Sequence, residues 1–193
     1  MRLADFLELD EPRLAKLELA HIAALRIYTT AAYVLLNSPL RDQASEEPHP
    51  LPVTISFLTS AIGKLRAVGA SDATARKEVD LWRGMHDIEL NQSFVQEGGT
   101  ELAPMSTTLS LDVALKYALS QRAILFKLHT DSFMARGASI QFLSAFPGEA
   151  EVLFPPLTYL NPTGLTQTLR LESDAGKQYE VRVVEVVPHF GSA

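Results

Sequence analysis

Hydrophobic positions in the first third recur at helical spacing, and those in the last third alternate in the manner of strands. Leu14, Leu17, Ala20, Ala24 and Tyr28 fall three or four residues apart, which predicts an amphipathic helix. Asp10 can cap it, and Pro12 suits its first turn. A second helical run, TTAAYVLLN, starts at Thr29, and the polar stretch SPLRDQASEEPHPLP then reads as a loop. Ile55, Leu58, Ile62 and Leu65 mark a further helix that ends near Gly69.

The pattern changes near residue 78. EVDLWRGM reads as a strand, ELNQSFVQEGGTELAP as a long irregular segment, and SLDVALKYAL as a short helix opened by Ser110 with Asp112 in its first turn. Five strands are expected after it: AILFKLH, ASIQFLS, AEVLFPP, LTQTLRLE and YEVRVVEVV. Asp174-Ala175-Gly176 is the expected turn between the last two. Strands and helices do not alternate, so a doubly wound parallel sheet is not expected. The fold class is α+β, helices first and a largely antiparallel β core after them. The division is a mainly helical part over residues 1–76 and a mainly β part over 77–193, in one domain.

Composition narrows the chemistry. The chain has 193 residues and a formal net charge of −6, with no basic stripe for nucleic acid or an anionic membrane. Neither partner is expected. With no cysteine, disulfide scaffolds, thiolate metal sites and cysteine nucleophiles are excluded. The first residues lack the pattern of a signal peptide, and no apolar run reaches membrane-spanning length. An intracellular location is expected, with a secreted toxin domain or a domain of a longer protein as alternatives. Phosphate-loop, dinucleotide-fingerprint, serine-elbow and zincin motifs are absent. His21, His49, His86, His129 and His189 lie far apart, and no metal site is expected. Only His86, near Arg83, invites attention.

Three short segments could carry chemistry. Arg83 in LWRGM lies in an apolar strand. A buried arginine there needs an anion, either a ligand's phosphate or carboxylate or an internal acid. Gly84 would let a ligand approach the backbone. Ser106, Thr107 and Thr108 in PMSTTLS can cap a helix or orient a carboxylate. If Ser110 does the capping, Ser106 and Thr108 need another account. Glu149 and Glu151 in SAFPGEAEVLFPP would share one face of an extended strand, roughly 6.5–7 Å apart. In a cleft they would push each other's pKa values apart. On an edge strand they would be two solvated acids.

In this order the three segments resemble the Arg–Ser–Glu class of mono-ADP-ribosyltransferases, with its arginine on an early strand, Ser-Thr-Ser strand start and Glu-x-Glu. IYTTAAYVLLNSPLR looks like that family's helical segment upstream of the site, so the likeness covers roughly residues 22–160. Thr108 stands where relatives have serine. The resemblance implies an ADP-ribosyltransferase-like fold, helices packed on a two-sheet β core. It implies NAD⁺ as a consumed substrate, no metal, and transfer of ADP-ribose to arginine of an acceptor protein. By position, Arg83 would bind the phosphates and Gly84 the nicotinamide amide. Ser106, with Thr107 and Thr108 beside it, would line the NAD⁺ site, and Ser106 would orient Glu151, the catalytic glutamate. Tyr117 would lie against the nicotinamide, or else pack in the core. Glu149 would act on the acceptor, and Phe146 would touch the acceptor protein. Alternatives are an NAD⁺ glycohydrolase that uses water, a two-carboxylate glycoside hydrolase and a non-catalytic NAD⁺-binding sensor.

Overall fold

A computed structural model describes residues 2–70, 77–85, 90–118, 120, 123–172 and 178–191. Its helical part holds α1 (Asp10–Leu14), α2 (Leu19–Tyr28), α3 (Tyr33–Arg41) and α4 (Pro52–Gly69). The helical run expected through Leu14 is broken. Lys16 takes a left-handed φ of 51°, and Leu17 closes the turn by donating to the Pro12 carbonyl. Leu14 is thereby left exposed while Leu17 is buried. α3 extends through Pro39 into the stretch expected to be loop. Burial of Leu36 and Asn37 on its inner face holds it helical despite the missing proline donor. α2 and α4 pack through Ile22, Leu25, Leu58 and Ile62, all fully buried. No single helix among the described residues is long and apolar enough to cross a membrane.

Among the described residues eight strands follow: β1 (Val79–Met85), β2 (Gly99–Glu101), β3 (Met105–Thr108), β4 (Ala123–Thr130), β5 (Ala138–Ser139), β6 (Glu151–Phe154), β7 (Thr158–Glu172) and β8 (Gln178–His189). Their spatial order is β2-β7-β8-β4-β1-β3-β6-β5. Among the described residues every pairing is antiparallel except β4 with β8. Where two sheets were expected, hydrogen bonding links all eight strands into one. The reason is local. β1 and β3 share a single register pair, Trp82 with Thr108, and that narrow seam joins a five-stranded part to the three strands β3, β6 and β5.

The segment expected to be irregular holds α5 (Gln92–Glu97) and β2. Asn91 caps α5 by accepting from the Phe94 amide, and β2 pairs with β7. Conversely, the strand expected over ASIQFLS ends after Ser139, because the chain turns at Ile140, whose carbonyl accepts from the Leu143 and Ser144 amides. β7 and β8 pair out to Glu172 with Gln178. The turn expected between them, and His86, lie outside the described residues.

The last helix, α6 (Leu111–Ala118), sets the site. Ser110 caps it, its hydroxyl accepting from the Val113 amide. α6 lies directly on β1. A β-carbon added to Gly84 would come within 2.0 Å of the Ala114 carbonyl oxygen and 2.8 Å of the Ala118 nitrogen. The close approach that Gly84 permits is therefore that of a helix backbone.

Candidate active site

One cavity of about 540 Å³ opens at the β1–β3 seam, between the ends of α2 and α3 on one side and α6 on the other. All nine residues that the resemblance assigns to the site line it: Arg83, Gly84, Ser106, Thr107, Thr108, Tyr117, Phe146, Glu149 and Glu151. Strand pairing explains the convergence. β3 and β6 pair with Ser106 opposite Leu153 and Thr108 opposite Glu151, so the hydroxyl run and the second glutamate are neighbours although 45 positions separate Ser106 from Glu151.

Glu151 is buried, 7% exposed. Ser106 Oγ donates to its Oε1 at 2.7 Å, and Ser144 Oγ lies 3.4 Å from its Oε2. Burial raises its pKa above the ordinary carboxylate value; the Ser106 bond opposes that rise, and the charge of Glu149 adds to it. Ser144 was not singled out from the sequence, although it stands in the same segment as the glutamates. Nothing in a lone serine marks it as a carboxylate partner until the turn at Ile140 brings it back.

Glu149 and Glu151 do not share an extended strand. Glu149 ends a 3₁₀ turn over Pro147–Glu149, and Ala150 between them is left-handed, with φ 46° and ψ 50°. Pro147 favours the turn, and a non-glycine residue in the left-handed region costs about 1 kcal/mol. Both carboxylates still reach the cavity, at different depths. Glu149 is half-buried at the rim, where it accepts a hydrogen bond from the Tyr117 hydroxyl at 2.6 Å. Thr108 donates its hydroxyl to the Glu149 carbonyl and accepts from the Ser110 amide. Thr107 is buried and gives its hydroxyl to the Val152 carbonyl, inside the sheet.

Tyr117 is 53% exposed, which rules out the core-packed alternative. The Glu149 bond and partial burial push its pKa up to about 12. Phe146 stands 58% exposed at the rim. Arg83 is half-buried in the cavity wall, where it donates to the Ser106 carbonyl at 2.7 Å. Desolvation lowers its pKa.

Helices α2 and α3 add residues that were given no role at the site from the sequence. Tyr28 and Asn37 both donate to the Pro104 carbonyl, at 3.0 and 3.1 Å. The Asn37 Oδ1 is buried without a partner among the described residues, in a residue that lines the cavity. Arg41 also lines it and holds Glu101 with two bonds, of 2.9 and 3.0 Å. In the sequence they belong to IYTTAAYVLLNSPLR, the stretch that looks like the family's helical segment upstream of the site. α2 also braces the loop before the glutamates: Arg26 donates to the Leu143 carbonyl and Thr29 accepts from the Ala145 amide.

The family model for the ADP-ribosyltransferase exoenzyme matches residues 14–179. The chain belongs to this family. A curated ADP-ribosyltransferase relative is ecto-ADP-ribosyltransferase 5 of Bos taurus, 32% identical over 144 residues that make up 70% of this chain and 43% of that protein. The chain thus spans less than half the length of that relative. Solved ADP-ribosyltransferases share the fold. HopU1 of Pseudomonas syringae aligns with a TM-score of 0.66 at 18% identity, over 96% of this chain and 86% of that one. Vis of Vibrio splendidus, solved in complex with agmatine, aligns with a TM-score of 0.59 at 20% identity, over 96% and 82%.

Proposed function

We propose that the chain is a mono-ADP-ribosyltransferase of the Arg–Ser–Glu class that moves ADP-ribose from NAD⁺ to an arginine of an acceptor protein and releases nicotinamide. The observation that carries this reading is the pair of carboxylates in one cavity, Glu151 buried and held by a hydroxyl, Glu149 at the rim. Family membership supports the chemistry, and the agmatine in the Vis structure, a small guanidine, supports the acceptor class.

The cavity suits a dinucleotide. Its volume falls in the range of small-molecule sites. Arg83 and Arg41 offer guanidinium groups to phosphates. The orphan Asn37 Oδ1 can accept from a hydroxyl or amino group of a ligand. The Gly84 backbone and the Tyr117 ring line the end near α6, the place for nicotinamide.

Breaking the nicotinamide–ribose bond leaves positive charge on the sugar, and nicotinamide departs neutral with the bonding electron pair. Glu151, fixed by Ser106, stabilises that charge electrostatically and needs no general acid as its partner. The second carboxylate is then free for the acceptor. Glu149 holds a guanidinium by paired hydrogen bonds, and as its nitrogen bonds to the ribose carbon the released proton passes to Glu149 and on to water. Phe146 stands where an acceptor surface would touch.

Incubation with NAD⁺ and agmatine, followed by separation of nicotinamide, ADP-ribose and ADP-ribosyl-agmatine, tests this. ADP-ribosyl-agmatine is the expected product. ADP-ribose alone makes the protein a glycohydrolase; binding of NAD⁺ with no nicotinamide released makes it a sensor.

A further inference from the structure

The main cavity adjoins a second, shallower hollow lined by Val113, Lys116, Tyr117, Phe146, Gly148 and Glu149. Four of these residues, Val113, Tyr117, Phe146 and Glu149, line both. They form the wall between the end that buries Glu151 and the outer surface. At that wall the Tyr117 phenol donates to Glu149 Oε1 at 2.6 Å.

We propose that Tyr117 is a positioning residue for the acceptor carboxylate: its hydroxyl holds Glu149 for an incoming guanidinium, and so sets how ADP-ribose is divided between arginine and water. The proposal rests on Glu149 acting on the acceptor, as above.

Glu149 is gripped at three places. Its amide donates to the Phe146 carbonyl, its carbonyl accepts from Thr108, and its carboxylate accepts from Tyr117. The first two hold only the backbone. A glutamate side chain at a wet rim otherwise keeps its rotamer freedom, which an acceptor would have to remove on arrival. The phenol removes it beforehand. One donor does not saturate a carboxylate, which accepts at about four positions, so both oxygens remain able to receive a guanidinium. With its pKa near 12, the phenol remains a donor at neutral pH and does not compete with Glu149 for the acceptor's proton. The position of the phenol is itself set by backbone contact, because α6 rests on Gly84 with no side chain between them.

The test is the ratio of ADP-ribosyl-agmatine to ADP-ribose formed by the full chain at fixed NAD⁺ and agmatine. Both products come from the same active molecules, so the ratio is independent of how much of a variant folds. Tyr117→Phe keeps the ring and removes the hydroxyl. It should lower the ratio about tenfold, the usual worth of one charge-assisted hydrogen bond. In a Glu149→Gln background the same change should leave the ratio where Glu149→Gln alone puts it. An unchanged ratio in Tyr117→Phe overturns the proposal, and so does an equal further fall in the Glu149→Gln background. A wild-type chain that makes no ADP-ribosyl-agmatine overturns the transferase reading itself, and the role of Tyr117 with it.

Discussion

Ser106 Oγ donates to Glu151 Oε1 at 2.7 Å across the β3–β6 pair, inside a cavity that leaves the carboxylate 7% exposed. Burial favours the protonated acid and the hydroxyl favours the carboxylate, so in the proposed reaction the hydroxyl would work toward the charged form that the chemistry needs. Nicotinamide release should therefore fail on acidification with an apparent pKa above the ordinary glutamate value of 4.5. Ser106→Ala removes an opposing influence and should move that acid limb to higher pH, with a loss at neutral pH of about tenfold or more. A pH–rate profile of both proteins decides it, and a limb that does not move would show that Ser106 has no such role.

Stability carries the opposite sign. The folded chain keeps a proton on Glu151 at pH values where the unfolded chain has released it. Stability contributed by this group is therefore lost as pH rises from the unfolded pKa through the raised folded one. Glu151→Gln should lack that fall and gain in thermal midpoint relative to the wild type as pH rises. Melting curves from pH 4 to 8, about the window in question, provide the check.

The two glutamates should fail differently. Glu151→Gln should abolish nicotinamide release whatever the acceptor, by a factor of about 10² or more. Glu149→Gln should instead shift products from ADP-ribosyl-agmatine toward ADP-ribose. Equal product ratios in wild type and Glu149→Gln would sink this division of roles.

Gly84→Ala should be the most disruptive single-carbon change at the site. Its β-carbon would meet the Ala114 carbonyl at 2.0 Å and push α6, with Tyr117, off β1. A loss of about 1–3 kcal/mol is expected from overpacking against backbone, read as a lower midpoint in urea. A ligand merely passing close to Gly84 would leave stability untouched.

Tyr28→Phe deletes a buried hydroxyl that donates to the Pro104 carbonyl. Asn37 still donates there, so the carbonyl keeps a partner and the cost should be about 1 kcal/mol. Denaturant unfolding would show it. A cost several times larger would mean that this bond alone ties α2 to the strand start at Met105.

Some of this was legible in the chain. The helical spacing of Ile55, Leu58, Ile62 and Leu65 and the strand pattern YEVRVVEVV fall within α4 and β8, because each buries one face and the period of its apolar residues reports that face. Arg83, the hydroxyl run and the paired glutamates could be picked out, because charged and hydroxyl side chains beside apolar strands need a reason. β2 was not legible, and β5 was read too long within ASIQFLS: short segments are made by their partners, β7 and β6, rather than by their own pattern.

The sequence by itself determined which residue types could do the chemistry and in what order they occur. Tertiary structure alone decided which of them meet. A single left-handed residue, Ala150, sets Glu149 at the rim and Glu151 in the interior, whereas strand periodicity alone would have made them equivalent. The backbone of α6 occupies the space that a side chain on Gly84 would need and brings Tyr117 to Glu149. Depth and contact follow from how backbones pack in three dimensions, and a linear pattern of side chains carries no record of that packing.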